Sequence, residues 1–142
     1  MNTIIFLAMV IGSPLEVELA FEAQLRRLQQ QTRVPIPHLG FRVLIVYHTS
    51  ELSKLPKTQR AVFVSKELHQ YLSQRCVGGK AGYKFLDPSG DLESESALWQ
   101  DAMDRPREVV PWLIISTGVD GYEGPLPATP TEMLKLVRKY GG

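Results

Sequence analysis

Residues 3–11 form a run that is apolar apart from Thr3. It is far too short to cross a bilayer as a helix, which takes about 20 apolar residues. Two readings remain. One is a fully buried β-strand rich in Ile, Val, Phe and Leu. The other is the hydrophobic part of a targeting segment or membrane anchor. No Lys or Arg precedes the run and no strong A-x-A site follows it. The next residues, Ser13-Pro14-Leu15-Glu16, form a capping box with proline at the first helical position. The strand is therefore the preferred reading. A helix is expected from residue 14 to about 31. Val17, Phe21, Leu25 and Leu28 make one apolar stripe along it. Glu16, Glu18 and Glu22 come early and Arg26 and Arg27 late, an order that suits the helix macrodipole. Packing of the stripe on a sheet is expected, with a surface or partner-binding helix as the alternative.

Val34-Pro35-Ile36-Pro37 reads as a stiff extended connector. Residues 41–47 are nearly all apolar and predict a central strand covered on both faces. A polar loop over 49–57 follows. Ser65 is placed to cap a helix running to about Arg75, which the Val77-Gly78-Gly79-Lys80 segment ends. Residues 83–87 alternate and predict a strand, and Pro88-Ser89-Gly90-Asp91 predicts a turn. A helix is expected over 94–103, with Leu98, Trp99, Ala102 and Met103 apolar, and a strand over 109–116. Residues 118–127, rich in Gly and Pro around Tyr122, suit a hairpin and a short edge strand. Thr129-Pro130-Thr131-Glu132 is a second capping box, opening a helix that Gly141 should end. The order β-α-β-α-β-α-β-β-α implies a mixed sheet with helices on both faces. Its first half should be parallel and its last hairpin should supply one antiparallel edge.

Composition narrows the chemistry. The chain has 142 residues, 44% apolar and 22% charged, enough for a real core. A net charge of +1 supplies no broad basic field, so nucleic acid is not an expected partner. A single cysteine excludes an intrachain disulfide, a Cys-rich zinc site and a C-x-x-C pair. His38, His48 and His69 have no compact ligand spacing. No metal and no cofactor is called for.

Three local features carry a family resemblance. Residues 41–47 resemble the central strand that leads to the redox motif of the thioredoxin fold. Val110-Pro111-Trp112-Leu113-Ile114-Ile115 resembles that family's cis-proline segment. Gly121-Tyr122-Glu123-Gly124, followed by the last helix, resembles its closing strand and helix. The likeness covers roughly residues 40–142. It implies a thioredoxin-like three-layer α/β fold over 40–142. Residues 1–39 would add the N-terminal strand, or targeting segment, and the amphipathic helix. The stretch from Val110 through Pro127 also resembles uncharacterised thioredoxin-like proteins of bacteria and their phages.

The family's chemistry requires a thiolate at a helix N-terminus, where exposed N–H groups lower its pKa. Here the corresponding stretch is Thr49-Ser50-Glu51-Leu52-Ser53. Ser50 and Ser53 keep the C-x-x-C spacing, but a hydroxyl neither titrates near neutrality nor forms a disulfide. Cys76, the only thiol, falls at a helix end, where the dipole raises a thiol pKa and Arg75 would oppose it. A structural, partly buried cysteine is expected there. His48 and Asp87 should sit at strand ends, where open α/β sheets place ligands. With Ser50 they could form a nucleophilic set, but no nucleophile elbow accompanies them. A loop-ordering network is the expected role.

The remaining motifs read as structural. Gly78-Gly79-Lys80-Ala81-Gly82 lacks the phosphate-loop spacing and reads as a turn. Arg26, Arg27 and Arg33 read as a solvated face, as do Asp91, Glu93 and Glu95. Trp112 could be an aromatic anchor at the cis-proline edge, where the family receives extended partners, or could pack under a helix. Tyr122 and Glu123 could extend the same face.

These readings point to a non-catalytic protein-binding or assembly module with a protein partner. The binding residues would be Pro111, Trp112, His48, Ser50, Ser53 and Tyr122. The resemblance to phage-borne relatives leaves a virion or host-interaction role open. The alternative is a single-thiol oxidoreductase that uses Cys76. A cytoplasmic location is expected, with secretion or membrane tethering through residues 3–12 as the alternative. An exposed edge strand would permit a homodimer.

Overall fold

The structure, a computed structural model, describes residues 14–142, and the side chains of all of these except residues 26–33. The strand or leader expected at 3–11 and the cap at Ser13 lie outside the described residues. So do the side chains of Leu28 and of the Arg26, Arg27 and Arg33 cluster. The chain divides into two compact units, residues 1–32 and 33–142. The division falls before the expected boundary at 39. The connector belongs with the second unit because Val34 and Ile36 are buried in it. Ser116 Oγ fastens it, accepting from Ile36 N at 3.2 Å and donating to Ile36 O at 2.8 Å.

In the first unit, α1 (Pro14–Arg33) follows the expected span closely. Val17, Phe21 and Leu25 are exposed, and so are Leu15 and Leu19.

The second unit is built on four strands. These are β1 (Arg42–Val46), β2 (Tyr83–Leu86), β3 (Trp112–Ser116) and β4 (Gly121–Pro125), in the order β2-β1-β3-β4. β1 and β2 are parallel, with Val46 opposite Leu86. β3 is antiparallel to β1, with Trp112 opposite Val46, and β4 is antiparallel to β3. Antiparallel pairing thus reaches the middle of the sheet as well as its edge. The cause is the connection from β2 to β3. It leaves and rejoins the sheet at the same end and carries one helix, α4 (Ala97–Met103).

Alternation along β1 divides two cores. Val43 and Ile45, with Leu113 and Ile115 of β3, face α2 (Lys57–Val64), α3 (Lys66–Arg75) and α5 (Pro130–Gly141). Those helices contribute Val62, Leu68, Leu72, Met133 and Val137. On the other face Leu44, Val46, Trp112 and Ile114 meet Ile36 and the Trp99, Ala102 and Met103 side chains of α4. Each fully buried aliphatic side chain contributes roughly 1.5–3 kcal/mol. The result is a mixed α/β sheet with helices on both faces. Among the described residues, no helix is long and apolar enough to cross a membrane.

The caps explain the helix ends. Ser65 Oγ accepts from Leu68 N at 3.2 Å and starts α3. Thr129 Oγ1 does the same for Glu132 N at 3.1 Å in α5. Gly78, at φ 74°, turns the chain after α3. Several boundaries differ from expectation. α4 starts at Ala97 because Ser94 is held in a turn, its hydroxyl donating to Asp91 O at 3.1 Å. β3 begins only at Trp112. Gly141 lies within α5, and Gly142 caps it.

Candidate functional site

One end of the sheet gathers most of the polar residues singled out above. β1 and β2 finish there, β3 starts there, and β4 ends there. Tyr47 N still bonds Leu86 O at 3.1 Å, after which the chain turns into a 3-10 segment, Thr49–Lys54. His48 is the residue that caps this segment, without a side-chain cap bond. Ser50 and Ser53 lie on it and are exposed. Pro111 and Leu126 close the other side, with Leu126 N donating to Pro111 O at 3.1 Å. Gln59 of α2 ties in by donating to Leu126 O at 2.9 Å. The Val110–Pro111 peptide is cis.

Asp87, just past β2, is the hub. Its Oδ2 accepts from Thr49 N at 2.9 Å. Its Oδ1 accepts from Ser89 N at 2.9 Å and from the Ser89 hydroxyl at 2.7 Å. These bonds, led by the Thr49 N–H, hold the carboxyl well below the usual carboxylate range, and burial opposes them only weakly. His48 Nδ1 stands 3.7 Å from Asp87 Oδ1, beyond ordinary hydrogen-bond distance. Among the described residues, no hydrogen bond joins Ser50 to His48. The arrangement splices the loop after β1 to the loop after β2.

This has a pH consequence. Asp87 titrates lower folded than unfolded, where a value of about 3.9 applies. Its contribution to stability is therefore complete above about pH 4 and is lost as pH falls below that. Asp87→Asn removes the charge but keeps much of the shape. Urea midpoints compared at about pH 6 and about pH 3 should fall less in this variant than in the parent. An equal fall in both would refute the assignment.

Trp112 and Tyr122 are placed differently from the exposed-anchor reading. Trp112 is 7% exposed and packs in the second core with Trp99 and Met103. Among the described residues, its indole N–H has no hydrogen-bond partner. Of the two alternatives, packing under a helix is the one the geometry shows. Tyr122 is half-buried against the first core, opposite Ile115. Glu123 is engaged by Arg105, whose Nε donates to its Oε1.

Cys76 lies at the other end of the sheet. It follows α3, and the next residue donates from Val77 N to Phe41 O at 2.9 Å, just before β1. Five residues of strand separate that point from the Pro111 end, about 16 Å. Cys76 is 5% exposed within the first core. Burial pushes its thiol up to about 12, and Arg42 opposes the shift. Arg42, rather than Arg75, is the cation that acts on it. The thiol and the cis-proline segment are not brought together.

Sequence reading missed two partners in this site. Thr49 contributes first a backbone N–H, which leaves no trace in residue type, and its side chain adds to the hold on Asp87. Ser89 was legible in principle, since Asp-x-Ser is a self-bonding turn pattern. It also missed the half-buried aromatic edge beside the site. There Phe63 lies 5.1 Å from Tyr47 and 5.8 Å from Phe85, and His69 stacks on Phe85 at 5.2 Å. His69 Nε2 lies 2.8 Å from Phe63 O, which accounts for this histidine structurally. The Asp91, Glu93 and Glu95 turn is also engaged, with Glu95 paired to Lys84 at 3.2 Å. Among the described residues, no group of three metal-ligating side chains assembles. Comparison with protein-family models, with curated proteins and with solved structures gave no match.

Proposed function

We propose that residues 40–142 form a thioredoxin-like module that binds an extended protein segment without dithiol chemistry. One observation carries the reading. The segment after β1, where that family keeps its thiols, offers the hydroxyls of Ser50 and Ser53, while the only thiol is buried at the far end of the sheet. The strand order β2-β1-β3-β4, with one parallel and two antiparallel pairings and α5 closing the chain, supports the family likeness.

The receiving face would be the end formed by His48, Ser50, Ser53 and the Val110-Pro111 backbone. Main-chain pairing with an extended segment supplies affinity in this mode, and nearby side chains select. Trp112 would shape this face from beneath, because its ring is buried. The aromatic edge around Tyr47 and Phe63 lies next to it.

Amide NMR of the full chain, titrated with a pool of extended peptides, tests the proposal. Shifts should concentrate on residues 48–53 and 109–112, and Cys76 should stay unshifted. Ser50→Ala and His48→Ala should leave the spectrum of the rest of the fold unchanged. Turnover of a disulfide substrate by the reduced chain, or peptide shifts confined to other surfaces, would refute it.

A further inference from the structure

We infer that the segment received at the His48–Pro111 end is acidic, with its carboxylates lying along the start of α2. The inference rests on the reading of that end as a peptide-binding face. α2 begins beside it, because Gln59 donates to Leu126 O at 2.9 Å and Leu126 N donates to Pro111 O at 3.1 Å. All of these residues belong to the second unit, so their arrangement is internal to one compact body.

The charge around this start is of one sign. Residues 52–66 hold four cations and no acid. Lys57 and Arg60, three positions apart, share one face of the helix. No acidic residue stands in its first turn, and Pro56 precedes it without a side-chain cap. Glu51, the nearest acid before it in sequence, is taken by Lys54 at 3.3 Å. Among the described residues, neither Lys57 nor Arg60 has an acidic partner. Cations at a helix N-terminus oppose the dipole, so the stability of α2 does not account for them. An anionic partner does. The other side of the same end decides which kind of anion. The Asp87 hub leads there into residues 88–96, which run on the opposite face of the sheet, where Leu92 packs on the second core. Residues 85–104 hold six acids and no cation. Nucleic acid or an anionic bilayer, charged along its whole extent, would meet this negative flank as well. A peptide with its acidic residues confined to one part satisfies α2 without crossing it. Flanks of opposite sign also fix the direction in which the segment lies.

Fluorescence anisotropy of the full chain provides the test. The probes are three labelled, proline-containing peptides, identical except for a block of Glu, Gln or Lys. The Glu peptide should bind about fivefold more tightly than the Gln peptide, the effect of two solvent-exposed charge contacts. Added salt should erase the difference. Lys57→Glu combined with Arg60→Glu should abolish the preference and confer one for the Lys peptide. The urea midpoint of that variant should not fall, because acids suit the first turn of a helix. A fall would show that the two cations serve the fold and would overturn the inference. Equal affinity for the three peptides, with amide shifts at residues 48–53, would overturn it and leave the module reading standing. No shifts at 48–53 with any of the three would overturn both. Tighter binding of single-stranded DNA or of phosphatidylglycerol vesicles than of the Glu peptide would overturn it in favour of that anion.

Discussion

Native Cys76 is expected to alkylate on the order of a thousandfold more slowly than the same thiol in the unfolded chain near neutral pH. The thiolate is the nucleophile, and its supply falls tenfold for each unit by which the pKa rises. Burial in the first core, among Phe41, Leu72 and Val43, pushes this thiol up to about 12. Arg42 pulls the other way without compensating. Access works in the same direction, because reagent must wait for a local opening of the α3 terminus. Iodoacetamide rates against pH, for native and urea-unfolded protein, give the result directly. A native rate that titrates with a midpoint below about 8.5 would overturn the argument and restore a thiol-based activity. The linkage has a definite sign. Because the folded pKa lies above the unfolded one, the contribution to stability is complete below about pH 8.5. It declines as pH rises from there toward about 12.

Gly118→Ala should cost about 3 kcal/mol. Gly118 sits at φ 87°, a conformation that strains an L-residue by about 1–2 kcal/mol. A Cβ there would stand 2.5 Å from His38 O, 2.6 Å from Leu39 Cα and 2.7 Å from His38 C. All three are backbone atoms, so no side-chain rotation relieves the clash, and overpacking adds about 1–3 kcal/mol. The loss is a large share of the 5–15 kcal/mol typical of a domain. Gly142 is the control. It shares φ 87°, but a Cβ there meets nothing within 4 Å. Gly142→Ala should therefore cost no more than the strain alone, about 1–2 kcal/mol. Urea unfolding of the two variants separates strain from collision. Equal losses would show that the packing of residues 38–39 on the β3–β4 turn contributes nothing. The Gly118 turn is at the end of the sheet opposite His48, so this variant tests the fold and leaves the candidate site intact.

The candidate site was half legible. Asp87 could be placed at a strand end and His48 at another from alternation and turn residues alone. That the two ends adjoin depends on β1 and β2 being neighbours in parallel register, which places Val46 beside Leu86. The partner that matters most to Asp87, the Thr49 N–H, is a backbone group, and any residue but proline would supply it. Cys76 illustrates the opposite error. Its position at a helix end was correct, but the charge acting on it comes from Arg42, distant in sequence and near in space. The Trp112 reading stayed open between two outcomes because alternation cannot say which face of a strand is covered by what.

What the sequence determined by itself was local. Ser65 and Thr129 cap their helices through N–H groups three residues away, and Gly78 turns the chain with its own φ. The absence of thiols at positions 50 and 53 also needs no structure. Only the tertiary structure decided the direction of β3 and the burial of Cys76 and Trp112. The physical reason is range. Caps, turns and hydrophobic periods act over a few residues. Strand direction and burial are set by contacts such as that of Ile36 with Ser116, which are 80 positions apart.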